Sequence, residues 1–203
     1  MQCIIMCDVD GVLTAPQKMF RCTNKSGSLG EDRWSKIYSD RDSWALQRLK
    51  NEIVFISHDR RNEHYIHYKG HKFLYVPHPL EKYDAIIEYW NNFVTNNTVE
   101  GEKDKPIYIY LGDDVFDYKA LSGALYGFIP SDANMILKDK IFKDGKLVGA
   151  IHSNKIMQLQ SAGGAGCINE AMYRLYLSGC YKDKNSVLHD YDIFNKIDEY
   201  FKI

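Results

Sequence analysis

Residues 2–14 read QCIIMCDVDGVLT: an apolar run, then Asp8, Asp10 and Gly11 in quick succession, then Thr14. A short apolar run that ends in acidic and turn residues is the pattern of a buried parallel strand running into a loop. In open parallel sheets ligands bind outside the carboxyl ends of the strands, so these carboxylates emerge where a site is expected. Asp8 and Asp10 point the same way if the extended geometry persists beyond the strand. Their repulsion then calls for a cation or a shared proton. Gly11 lets the chain turn sharply, and Thr14 offers a hydroxyl or a backbone contact beyond the turn. Taken alone, the stretch equally suits a strand-end turn in which Asp and Gly only form a loop.

Residues 107–117, IYIYLGDDVFD, repeat the arrangement and decide between the two readings. Asp113, Asp114 and Asp117 follow a second apolar run as Asp8 and Asp10 follow the first. Two acidic clusters at the ends of two strands can converge on one hard cation, and oxygen ligands of this kind suit Mg²⁺. A helix N-cap at Asp113 or Asp114 is compatible with that role. Between the clusters, Ser57 closes another apolar run and Lys82 opens a helical stretch. A hydroxyl and an ammonium are the groups that hold a phosphoryl oxygen and neutralise charge around it.

The rhythm around these motifs sets the fold class. Apolar runs at 2–7, 53–57, 73–76, 107–111 and 126–129 alternate with amphipathic stretches at 43–50, 61–69, 80–94 and 116–123. That alternation predicts an α/β fold with a doubly wound, mainly parallel sheet. Residues 15–37, with SGSLGED at their centre, read as a hairpin or flap; 96–105 read as an exposed loop, and Asp144-Gly145 suits a tight turn between two short strands within 142–150. Gly163, Gly164 and Gly166 lead into a helical pattern through Leu177, and a last helix is expected over about 188–202. No repeat or linker marks a boundary, so residues 1–203 are expected to form one domain, with a helical tail over about 166–203.

Composition narrows the function. Lys plus Arg total 26 against 27 for Asp plus Glu, a formal charge of −1, which offers nothing to hold a polyanion such as nucleic acid. The first residues carry no basic region and no long apolar stretch occurs, so neither export nor a membrane span is expected. The 5 cysteines are scattered without C-x-x-C spacing, which points away from a disulfide framework and towards reduced thiols in the cytoplasm. His64, His67 and His71 would share one helix face, read as an exposed polar face because no Cys or acidic ligand is spaced to complete a metal shell. His58, beside Ser57, is the histidine expected near a substrate. Trp34, Tyr38 and Trp44 are candidates for packing against a neighbouring subunit.

The order Asp-x-Asp, Ser, Lys, Gly-Asp-Asp-x-x-Asp over residues 2–123 resembles the motifs of the haloacid dehalogenase superfamily. DVDGVLT, the flap, GEDRWSKIYSDRDSWALQRLK (30–50) and GGAGCINEA (163–171) are similar to its small phosphatases that act on 3-deoxy-octulosonate 8-phosphate and N-acylneuraminate 9-phosphate. The resemblance implies a short flap without a large cap domain, and tetramers in which a neighbour closes the site. It implies Asp8 as nucleophile and Asp10 as general acid and base. Mg²⁺ would be held by Asp8, the Asp10 carbonyl and Asp113, with Asp114 assisting directly or through water. Asp117 would orient a metal-bound water or Lys82, and Ser57 and Lys82 would grip the phosphate. The substrate expected is a phosphorylated 2-keto-3-deoxy sugar acid. The alternatives are another small phosphomonoester, such as a nucleotide or sugar phosphate, or a catalytically silent binding member. Three features depart from the family pattern. Ser57 is followed by His58-Asp59-Arg60 rather than Gly-Arg, making Arg60 the candidate substitute one place on. Ala165 and Asn169 stand where arginines are usual, and 96–105 and 142–150 are long.

Overall fold

The computed structural model describes residues 4–21, 33–38, 40–48, 53–97, 108–143, 146–147 and 155–177. In chain order the elements are β1 (Ile4–Asp8), β2 (Thr14–Arg21), β3 (Arg33–Tyr38), α1 (Ser43–Arg48), β4 (Ile53–Ser57), α2 (Arg61–Tyr68) and β5 (Lys72–Tyr75). They continue as α3 (Lys82–Asn97), β6 (Tyr108–Leu111), α4 (Tyr118–Gly123), β7 (Tyr126–Ile129) and α5 (Met135–Ile141). Last come β8 (Phe142–Lys143), β9 (Lys146–Leu147), β10 (Lys155–Gln158) and α6 (Cys167–Leu177).

β1 is the pivot. All of its residues are buried, and it pairs in parallel with β4 on one side and β6 on the other, Cys7 lying opposite both Phe55 and Leu111. The chain builds β4 and β5 to one side of β1, then crosses to add β6, β7 and β10, giving the order β10-β7-β6-β1-β4-β5. The pairings β4–β5, β6–β7 and β7–β10 are also parallel. The winding direction reverses at β1, so the crevice beyond its carboxyl end is the topological switch point. Asp8 stands at that end, and Asp113 follows the neighbouring end of β6.

Strand residues alternate between two cores, as a sheet covered on both faces requires. Ile5, Cys7, Phe55 and Leu111 pack with Ala45 and Leu46 of α1, Ile66 of α2, and Ile168, Met172 and Leu175 of α6. Ile4, Met6, Ile56, Tyr108 and Tyr110 pack with Ile86 and Trp90 of α3, Leu121 of α4, and Leu137 and Ile141 of α5. The result is a three-layer α/β/α arrangement, and among the described residues no separate cap layer stands over it. The flap is the antiparallel hairpin β2–β3, with Thr14 opposite Tyr38, Lys18 opposite Lys36, and a register irregularity between them.

The glycine-rich tail closes against the loop after β1. Gly164 N–H donates to the Val12 carbonyl at 2.7 Å, and a Cβ on Gly163 would lie 1.9 Å from the Gly11 carbonyl oxygen. Only a residue without a side chain lets the two backbones meet so closely.

Several elements differ from the sequence reading. The sheet has a sixth strand, β10, whose sequence KIMQ carries only two central apolar residues, too few to signal a strand. Helix α5 also went unsignalled; Asn134 caps it by accepting the Ile136 N–H at 2.9 Å. Helix α2 ends at Tyr68, so His71 does not share a face with His64 and His67; it is buried, edge-on to the Phe55 ring at 5.6 Å. Tyr38 stacks on Tyr65 of the same chain at 3.6 Å, and Trp44, half-buried, packs on the chain's own core. The centre of the flap at 22–32, the loop 98–107, residues 144–145 and 148–150, and the expected last helix lie outside the described residues, as do the Trp34 side chain, Cys3, Cys22 and Cys180. Among the described residues no helix is long and apolar enough to cross a membrane.

Gly163→Ala is expected to lower the unfolding free energy by about 1–3 kcal/mol, the range for an overpacked backbone contact. Urea unfolding followed by circular dichroism checks this; an unchanged midpoint would show that the tail can yield.

Candidate active site

Lys82 is the first residue of α3, after a 3-10 turn at Pro79–Glu81 that the His78 side chain caps. Its ammonium, almost fully buried, lies 2.7 Å from Asp8 Oδ2 and 2.8 Å from Asp117 Oδ1. Burial opposes its charge, but Asp117 and Asp8 outweigh burial and hold it protonated well above the ordinary lysine range. Asp117 is fully buried and uses both oxygens. Oδ1 accepts from Lys82 and from the Tyr110 hydroxyl at 2.7 Å, while Oδ2 accepts the backbone N–H groups of Asp113 and Asp114, each at 3.1 Å. With four donors on it, Asp117 has its acceptor capacity filled. It is the counter-ion that fixes Lys82.

Asp8 and Asp113 are placed differently. The Val9 N–H donates to Asp8 Oδ1 at 2.8 Å, leaving capacity on both Asp8 oxygens. Asp113 Oδ1 is buried with no hydrogen-bond partner among the described residues. One oxygen each of Asp8, Asp113 and Asp117 lies within 4.8 Å of the others. Burial pushes Asp8 up to about 7, with Lys82 pulling down and Asp117 pushing up. Burial, then Asp8 and Asp117, push Asp113 up to about 9. With Asp117 committed to its four donors, Asp8 and the half-buried Asp113, whose Oδ1 is orphaned, keep open carboxylate oxygens beside a single ammonium, a donor pair that fits a hard divalent cation. Gly11 is what permits this closeness. Its φ is +82°, and a Cβ there would fall 1.9 Å from Asp113 Oδ2.

Asp10 faces a second set of partners. The strand ends at Asp8 and the chain turns, so the extended geometry that would align Asp8 with Asp10 does not persist. Lys36, from the flap strand β3, approaches Asp10 Oδ1 at 2.7 Å and Oδ2 at 2.8 Å. The same ammonium reaches Asp59 Oδ2 at 2.7 Å and Asn62 Oδ1 at 2.7 Å. Asn62, fully buried in the first turn of α2, donates through Nδ2 to Asp10 Oδ2 at 3.1 Å and to Ser57 Oγ at 3.0 Å. Ser57 Oγ also accepts the Asp59 N–H at 3.0 Å. Having accepted twice, the hydroxyl keeps its own proton for an incoming acceptor. Burial works against the Asp59 charge, yet hydrogen bonds from Arg61 and Lys36 outweigh it and hold its carboxyl below the usual range. Burial, then Asp10, push the Tyr38 phenol up to about 12, so it stays neutral and donates to Asn62 Oδ1 at 3.2 Å.

The structure thus brings Asp8, Lys82, Asp113 and Asp117 into one cluster, and Asp10 and Ser57 into an adjoining one. The Asp10 and Asp114 carboxylates lie outside the cation-fitting cluster. Asp114 Oδ1 accepts the Val115 N–H at 2.6 Å and Asn134 Nδ2 at 3.2 Å, the N-cap role that its sequence position allowed. Thr14 is buried, its hydroxyl donating to the Val9 carbonyl at 3.4 Å, so it braces the loop. His58 is exposed beside Ser57, and Arg60 is exposed over the Tyr75 ring at 4.2 Å. Among the described residues the cation that reaches Asp10 is Lys36, not Arg60. Gly163, Gly164 and Gly166 lie along the tail beside the β1 loop. Asn169, at a family arginine position, instead ties α6 to the corner before α1: its N–H donates to Asp42 Oδ1 at 3.0 Å, Oδ1 accepts the Ala45 N–H at 2.9 Å, and Nδ2 donates to the Arg41 carbonyl.

Sequence reasoning missed Lys36, Asn62, Asp59 and Tyr110. Tyr110 had a readable signal, since it precedes Gly112-Asp113-Asp114 at strand spacing. Lys36 and Asn62 are polar residues on a hairpin and a helix, with nothing local to mark them.

Solved structures share this fold. One is the cobalt-bound deoxy-D-mannose-octulosonate 8-phosphate phosphatase of Haemophilus influenzae, 21% identical over 87% of this chain and 88% of that one, with a TM-score of 0.57. A second is the 3-deoxy-D-manno-octulosonate 8-phosphate phosphatase of Moraxella catarrhalis in complex with magnesium, phosphate and KDO, 17% identical over 98% and 92%, with a TM-score of 0.58. The corresponding phosphatase of Yersinia pestis is 18% identical over 86% and 80%, with a TM-score of 0.58. At these identities the likeness establishes the haloacid dehalogenase-type fold. No family model matches the chain, and no curated protein matches it.

The raised carboxyls give a pH test. A group whose folded value exceeds its unfolded value binds more protons when folded, so stability falls as pH rises from the ordinary carboxylate value of 3.8 towards about 7 for Asp8 and about 9 for Asp113. A cation relieves that penalty only when the groups are ionised. Added Mg²⁺ is therefore expected to raise Tm more at about pH 8.5 than at about pH 5.5, and Asp113→Asn to remove most of the difference. Differential scanning fluorimetry checks this; a pH-independent shift would contradict it.

Proposed function

We propose that this chain is a Mg²⁺-dependent phosphomonoesterase that works through an aspartyl-phosphate on Asp8. The observation that carries the reading is the cluster of Asp8, Asp113, Asp117 and Lys82 at the switch point of the sheet, with Asp10 two residues beyond Asp8. A cation held by Asp8 and Asp113 would supply charge neutralisation for a phosphoryl group.

The chain's own groups then divide the work. An Asp8 oxygen attacks phosphorus, forming an O–P bond as the bond from phosphorus to the substrate oxygen breaks. Asp10, entering protonated, gives its proton to the departing alkoxide. In the second step Asp10 takes a proton from water while the water oxygen attacks phosphorus, which frees the Asp8 carboxylate and inorganic phosphate. Lys82 stands 2.7 Å from the nucleophile and Ser57 has a proton to offer, so both can meet phosphoryl oxygens as charge builds on them. Splitting one difficult displacement into two is what a carboxylate nucleophile contributes.

For the substrate we infer a phosphorylated 2-keto-3-deoxy sugar acid of the octulosonate 8-phosphate or nonulosonate 9-phosphate type. The shared fold with phosphatases of that substrate supports the reading. Phosphate release from a panel of sugar-acid, hexose and nucleotide monophosphates, with Mg²⁺ or chelator, tests both parts. Metal-dependent turnover is expected to be highest for a sugar acid, and Asp8→Asn to lower kcat by at least about 10³-fold. No turnover of any compound would overturn the enzyme, and a nucleotide preference would overturn the sugar acid.

A further inference from the structure

The flap strand β3 delivers Lys36 into the interior, where its side chain is 7% exposed. Burial of an ammonium is tolerated only when its donors are met. Lys36 has three donors, and Asp10, Asp59 and Asn62 supply three acceptors, each at 2.7 Å. The partners are themselves fixed. Arg61 grips Asp59 with Nε at 2.8 Å and Nη2 at 2.7 Å. The orientation of Asn62 is fixed, because the Lys36 ammonium can only donate, to Oδ1, while Asp10 accepts from Nδ2. The carboxamide therefore links Asp10 to Ser57 in one defined orientation. Among the described residues, the Asp10 carboxylate accepts its hydrogen bonds from these two side chains.

We propose that Lys36 and Asn62 are positioning residues for Asp10, so that the flap orients the proton-transferring carboxylate as well as bordering the crevice. This rests on the function proposed above. A general acid must lie within hydrogen-bond reach of the atom it protonates, and a side chain next to a turn has the freedom to miss it. Lys36 and Asn62 remove that freedom from two sides, one from the hairpin and one from α2. The flap's conformation and the acid's orientation are then one variable.

The test uses the leaving group, because a positioned acid matters only when the departing oxygen needs a proton. Steady-state kcat/KM, which reports the steps through departure of that group, is compared for the best sugar phosphate of the panel and for p-nitrophenyl phosphate, whose phenolate leaves unprotonated. Lys36→Met is expected to lower kcat/KM on the order of 10²-fold for the sugar phosphate. For p-nitrophenyl phosphate the loss is expected to stay below about threefold. Lys36→Gln, which keeps an N–H donor, is expected to shift the same ratio by less and serves if the Met variant does not fold. In an Asp10→Asn background, Lys36→Met is expected to add less than about twofold, since the residue it positions is gone. Equal losses on both substrates, or a full additional loss on top of Asp10→Asn, would overturn the positioning role in favour of a purely structural one. Failure of the unaltered chain to hydrolyse either compound would instead overturn the phosphatase reading beneath it.

Discussion

The ammonium of Lys82 between Asp8 and Asp117 is the constraint on which the rest of the site depends. Withdrawing an ion from water costs several kcal/mol, and only close partners of opposite charge offset it. Lys82 also opens a helix, where the macrodipole disfavours a cation. Both penalties are overcome because β1 and β6 end side by side, with Asp8 on one and the Asp113–Asp117 turn after the other. The parallel register of these two strands is therefore an electrostatic requirement as much as a packing result.

Charge divides the site into two unequal halves. Around Asp10, the two cations Lys36 and Arg61 face the two carboxyl groups of Asp10 and Asp59. Around Asp8, one ammonium faces three carboxylates. The near-neutral total of −1 conceals this asymmetry. The unbalanced half is the part that fits a cation, and Gly11 lets the backbone pass against Asp113 there. The balanced half is built from hydrogen bonds with fixed direction, which suits the proton transfer proposed for Asp10.

The sheet and the cluster around Asp8 were legible in the sequence because their signals are local. Apolar runs ending in Asp8, Ser57 and Gly112-Asp113 mark strands and the chemistry at their ends together. Pairing by register then brings those ends to one crevice. Strand β10 and helix α5 were not legible: an edge strand needs little apolar surface, and α5 begins with the exposed Met135 and Ile136. Lys36 and Asn62 were hidden for a different reason. Each is an ordinary polar residue until the hairpin folds over α2, so their meeting is a property of tertiary structure alone. The expected alignment of Asp8 with Asp10 failed because the strand ends at the first of them. The resemblance marks Ala165 and Asn169 as places where arginine is usual, but only the structure shows that Asn169 ties α6 to α1 and the corner before it.

In the proposed mechanism a carboxylate oxygen of Asp8 receives the phosphoryl group. The most direct measurement is acid quench of the chain during turnover, followed by peptic digestion and mass spectrometry. The expected result is a hydroxylamine-labile phosphate on the peptide containing Asp8, absent from Asp8→Asn. A phosphate on any other residue, or turnover by Asp8→Asn at the rate of the unaltered chain, would contradict it.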